Sequence, residues 1–130
     1  MLQTLGPAPG TESQLPPVIT IEKTTLTLSA SSGGLLLAAS ENALILREGD
    51  YAPVIYFPSA DVLTERLDSV DIRTSCPFKG EASYFRLISE PRGDVVAWTY
   101  PNTYDDVVSI RGHIAFYPDR VTLSDVPKSN

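Results

Sequence analysis

The chain holds one cysteine and one histidine, so cysteine-based nucleophilic catalysis would have to draw on this pair. Cys76 stands in Thr74-Ser75-Cys76-Pro77-Phe78-Lys79-Gly80, where a lysine three residues on can stabilise a thiolate. His113 would serve as the base if the fold brings it to the thiol. The plainer alternative carries more weight: a small buried hydrophobe at 76 and a satisfied strand-end histidine at 113.

Other groups offer binding chemistry. Asp68 with Asp71, or Asp105 with Asp106, could hold a cation or act as acid and base, although helix caps and solvated turns want carboxylates in the same places. Trp98 with Tyr84, Tyr100, Phe116 and Tyr117 could line a pocket, with Arg86, Lys79 and His113 as the nearby polar groups. Aromatic residues on hairpin strands are more often core. Arg111 and Arg120 flank the strand that follows His113 and could bind an anion or pair with surface acids such as Asp119.

Several function classes are excluded at once. Neither a G-x-G-x-x-G after a strand nor a Walker lysine appears, and there is no G-x-S-x-G elbow. One cysteine precludes an intramolecular disulfide, and one histidine beside it leaves too few ligands for a Cys₄ or Cys₂His₂ zinc site. No metal or cofactor is expected. A net charge of −6 makes nonspecific nucleic-acid binding unfavourable. The longest apolar run, Leu35–Ala39, falls far short of the roughly 20 residues that cross a bilayer. Nothing in the chain addresses it elsewhere, so the expected location is cytoplasmic.

At 130 residues the chain suits one compact domain. Residues 1–17, rich in Pro and Gly, read as a flexible or extended tail, 18–124 as a single β domain, and 125–130 as a polar tail. From Val18 the apolar period is close to two, with β-branched residues throughout. Ala43–Leu46 fits a strand or one turn of helix, and Val54–Phe57 is a buried strand ending at Pro58. Ser59 and Asp61 cap a predicted two-turn helix running to Leu67. Thr74–Gly80 reads as a tight segment. The clearest hairpin is Ala82–Ser89, a turn over 90–94, and Val95–Tyr100, with Val96, Trp98 and Tyr100 on one face and Ala82, Tyr84, Arg86 and Ile88 on another. A short helix is predicted from about 104 to 111, with Gly112 as its terminating glycine. His113–Tyr117 and Val121–Leu123 complete the core. Seven to nine short strands with one or two short helices predict a mainly β fold of curved antiparallel sheets.

Four ordered motifs resemble one family. Tyr56-Phe57-Pro58-x-x-Asp61-Val62, Cys76-Pro77-Phe78-Lys79-Gly80-Glu81-Ala82-x-Tyr84, Ala97-Trp98-x-Tyr100-Pro101, and Gly112-His113-Ile114-Ala115-Phe116-Tyr117-Pro118-Asp119-Arg120-Val121 look like the DUF427 domain, a small, mostly bacterial family of unknown function. The resemblance runs from about Ala38 to Leu123 and implies a bent antiparallel, β-tent-like fold. A nucleotidyltransferase label is sometimes attached to the family, yet the D-x-D pair that holds two metal ions in such enzymes is absent here. Family members commonly carry a histidine where this chain has Ile72, which removes a titrating group.

The expectation is a small domain that binds a polar or anionic small molecule. Lys79, Arg120 and Asp119 would meet polar or charged groups, Trp98, Tyr84 and Tyr100 would supply walls, and His113 would orient the ligand. The alternative is an interaction module, homodimeric or bound to another protein, in which the same motifs only shape the fold. A Cys76/His113 enzyme is the third possibility.

Overall fold

A computed structural model describes Leu5 and residues 18–127. The remainder of the expected N-terminal tail, and residues 128–130, lie outside the described residues. The chain forms β1 (Ile19–Lys23), β2 (Leu26–Ser32), β3 (Leu35–Ser40), β4 (Leu44–Glu48), β5 (Val54–Phe57), β6 (Leu67–Cys76), β7 (Gly80–Leu87), β8 (Ala97–Thr103), β9 (Ile114–Phe116) and β10 (Thr122–Pro127). Seven strands make one antiparallel sheet in the order β1-β4-β5-β9-β8-β7-β6, and β10-β2-β3 make a second. The mainly β prediction holds, and β10 continues through Pro127, past the start expected for the C-terminal tail.

Side chains of directly opposed residues in antiparallel ladders project to the same face. The row Phe85–Ala97–Phe116 therefore faces one way, toward β2 and β3. It meets Ala30, Leu37, Ala38, Phe57, Val62, Leu87, Ile114 and Val121 in the core between the sheets. Phe57 and Phe116 pack edge to face there, with centroids 5.7 Å apart.

The parallel row Leu44–Tyr56–Ala115–Trp98–Tyr84–Val70 faces the other way. Tyr56 and Ala115 join Leu46, Ala82, Tyr100, Val107 and Ile110 in a second buried cluster, against which Cys76, Tyr84 and Trp98 pack. Two face assignments made from the sequence are thereby corrected. Tyr84 lies opposite Trp98 and shares its face, whereas Val96 is in the inter-sheet core. Val96 precedes β8 and is held by its N–H to the Phe85 carbonyl (2.8 Å) and by the Tyr117 N–H to its own carbonyl (2.9 Å), which breaks the alternation.

Neither predicted helix is an α-helix. Residues 59–61 and 64–66 are single 3-10 turns, because the backbone there bonds outward to β3: Val62 bridges Ala38, and the Leu63 N–H donates to the Leu37 carbonyl at 2.8 Å. Ser40 Oγ donates to Asp61 Oδ2 at 2.5 Å, giving the motif aspartate a structural task. The segment Asp105–Ile110 is a kinked 3-10 stretch, and its fully buried Val107 and Ile110 cover the second cluster. Gly112, at φ +76°, follows it as expected.

The ten-residue β6 is the largest element missing from the sequence reading. It is an edge strand whose residues 71–75 are all exposed, so apolar alternation never develops, and its register shifts between Val70 and Arg73.

Candidate functional site

The motif Cys76–Gly80 is the turn between β6 and β7. The Lys79 N–H turns back to the Cys76 carbonyl (3.4 Å), and the Lys79 carbonyl accepts from the Tyr104 N–H (3.0 Å). Gly80 is buried, at φ +135°, with β8 crossing directly against it.

This turn sends Lys79 Nζ to the carboxylate of Glu48, and both side chains are only 13% exposed. The pair reports the shape of the sheet. Glu48 ends β4 and Lys79 precedes β7, four strand spacings apart in the sheet order, or about 19 Å if the sheet were flat. That separation exceeds what the two side chains span together. The sheet is therefore curled over the second cluster, and the ion pair is a clasp across the curl. Glu48 was not among the residues singled out from the sequence. The usable signal was parity: Leu44, Leu46 and Glu48 alternate onto one face, placing a charge at the end of an apolar row.

Around the clasp stand groups that titrate or donate. Cys76 Sγ lies 3.9 Å from Lys79 Nζ. Trp98 Nε1–H donates to the Tyr56 hydroxyl at 3.3 Å, and the two rings meet edge to face at 6.3 Å. Burial drives the Tyr56 phenol well above the usual tyrosine range, against the opposing hydrogen bond from Trp98. Tyr100 is raised likewise, first by burial and then by repulsion from Tyr56, Cys76, Tyr84 and Glu48. Both phenols stay neutral donors at ordinary pH. The Tyr84 hydroxyl shares a hydrogen bond with Thr74 Oγ1 at 2.5 Å.

On the other side of Trp98 the Tyr117 ring sits 4.6 Å away, and the Arg120 guanidinium lies 5.0 Å from the Tyr117 centroid. Arg120 also donates to the Val95 carbonyl. Arg120, Tyr117, Trp98 and Tyr56 thus form one continuous run of contacts ending beside the clasp. Asp119 is exposed in the following turn. Phe116, weighed from the sequence with these aromatics, is in the inter-sheet core instead.

His113 stands apart. Its ring Nδ1 lies 3.4 Å from the Arg111 carbonyl, and its own carbonyl accepts from Thr99 Oγ1 at 2.6 Å. No hydrogen bond joins the ring to Cys76 among the described residues. Burial lowers its pKa below 6.5, outweighing the carbonyl contact. As pH falls below 6.5, the unfolded chain takes up this proton before the folded one, so stability declines through that window and levels off below the folded pKa. Replacing it in His113→Gln is expected to flatten that slope in denaturant titrations; an unchanged slope would assign it to other groups.

Asp68, Asp71, Asp105 and Asp106 are all exposed, and no cluster of three or more His, Cys, Asp or Glu fit for a metal ion occurs among the described residues. A pocket of about 270 Å³ opens at the β6 irregularity, lined by Ser69, Val70, Asp71, Arg73, Ser83, Tyr84 and Phe85. Tyr84 therefore connects this pocket to the aromatic face.

A family model described as a domain of unknown function, DUF427, matches residues 20–126. The chain belongs to the DUF427 family. The match extends beyond the motif span on both sides, taking in most of β1, all of β2 and most of β10. No curated protein matches the chain. In this DUF427 domain no helix among the described residues is long and apolar enough to cross a membrane.

Proposed function

We propose that this domain binds a small polar molecule on the curled aromatic face and in the adjoining pocket. One observation supports it above others: four separate sequence motifs deliver Tyr56, Cys76, Lys79, Tyr84, Trp98, Tyr100 and Tyr117 to a single side of one sheet. A core alone does not call for an ion pair, a thiol and neutral phenols held together. Because Glu48 compensates Lys79, the clasp offers little net positive charge. That favours a neutral or zwitterionic ligand over a multiply charged anion, with Asp71 and Arg73 at the pocket able to meet opposite charges.

A thermal-shift screen of small polar metabolites tests this. A ligand held at 100 times its Kd contributes about 2.7 kcal/mol to stability, well within detection. Its shift is expected to disappear in Tyr84→Phe and Trp98→Leu and to survive in Ile88→Ser, on an exposed site outside both clusters. Ligands whose shift survives both site substitutions, or a panel without any shift, would overturn the proposal.

A second reading rests on a specific observation too. Lys79 clasps the sheet, Gly80 admits β8 and Arg120 holds the Val95 carbonyl, so three motif residues already have structural work. Under that reading the motifs shape the fold and function lies in contacts with another protein. The absence of any shift in the screen favours it.

A further inference from the structure

The turn that builds the clasp also sets a thiol against an amine. Cys76 Sγ and Lys79 Nζ are 3.9 Å apart, and the hydrogen bond from the Lys79 N–H to the Cys76 carbonyl (3.4 Å) fixes their spacing. Glu48 restrains the amine on its other side. Cys76 is partly exposed, within reach of a small oxidant such as hydrogen peroxide. As the chain's only cysteine it has no intramolecular thiol to resolve an oxidised sulfur, which leaves the Lys79 amine as the neighbouring side-chain nucleophile.

We propose that Cys76 and Lys79 are an oxidant-sensitive pair that closes to a covalent sulfenamide. In the first step the thiolate attacks peroxide: an S–O bond forms, the O–O bond breaks, sulfur loses two electrons to the peroxide, and the hydroxide that leaves takes a proton from solvent, giving the sulfenic acid and water. Lys79 then cedes a proton to the Glu48 carboxylate, and its amine attacks the sulfenic sulfur. An S–N bond forms, the S–O bond breaks, and the departing hydroxide takes up a proton as water. Together, one thiol, one amine and one peroxide give one sulfenamide and two waters. The crosslink removes the charge of Lys79 and leaves Glu48 without its partner, so oxidation opens the clasp. The inference depends on the pair's geometry and not on the proposed ligand.

Trypsin supplies the test, since it cuts after Arg73 and Lys79. The full-length protein is treated with hydrogen peroxide in thiol-free buffer, denatured and digested without reductant. Blocked cleavage at Lys79 is expected, giving a peptide from Thr74 to Arg86 that is lighter by two hydrogens, and dithiothreitol should restore the cut. In Lys79→Arg, which keeps a cation facing Glu48, Cys76 should instead acquire oxygen. Undiminished cleavage at Lys79 with oxygen on Cys76 overturns the proposal, as does the same two-hydrogen loss in Lys79→Arg.

Discussion

Gly80→Ala is expected to destabilise the domain by about 3 kcal/mol or more, on the order of a 10 °C loss in Tm. Two costs coincide at this position. A φ of +135° lies outside the left-handed helical well that other residues tolerate at modest strain. A Cβ added there would also stand 2.2 Å from the Asn102 carbonyl oxygen and 3.0 Å from the Thr103 Cα. Both obstacles are backbone, so no side-chain rotation relieves the overlap. Relief would require β7 and β8 to part where Gly80 opposes Thr103, beside the Cys76–Lys79 turn. A useful comparison is Gly33→Ala, at φ +55° with nothing within 4 Å of the added carbon, expected to cost only about 1–2 kcal/mol. Equal losses in the two variants, measured by denaturant unfolding, would mean that backbone conformation alone matters at Gly80 and that the close approach of β8 does not.

That glycine also shows what the sequence could and could not disclose. Its place in a tight segment after Cys76 was legible, but the residue it must admit, Asn102, is 22 positions away and set by the register of β7 on β8. The same limit explains the site. Alternation identified the hairpin strands, yet placing Tyr84 beside Trp98 requires knowing which residues oppose each other, and an irregularity between Glu81 and Ser83 resets the count. Pro101, which has no N–H to donate, falls within that irregularity on β8. Ser59 and Asp61 read as capping residues, but neither caps: Pro58 precedes the 3-10 turn with no side-chain capping bond, Asp61 accepts from Ser40, and β3 captures backbone groups an α-helix would have used. Local chemistry fixes where the chain turns; the curl that joins Glu48 to Lys79 belongs to the sheet as a whole.

The clasp makes a prediction that separates structure from ligand binding. Lys79→Met leaves the Glu48 carboxylate, on a side chain only 13% exposed, without its cation, and Glu48→Gln strands the ammonium in the same way. Each single substitution is expected to cost roughly 2–4 kcal/mol, a little below the range for fully buried pairs because some solvent reaches both groups. Most of that cost is the penalty of an uncompensated charge and not the loss of a strong attraction. Joining the two substitutions removes both charges from the curled face and should recover most of the stability, leaving the double variant within about 1 kcal/mol of the parent. Additive losses would show that Lys79 and Glu48 are not coupled, so that each cost comes from its own surroundings and not from the broken pair. If instead the double variant is stable, the fold does not need the charges. Any ligand shift then lost in the double variant while stability persists would locate their purpose in the ligand.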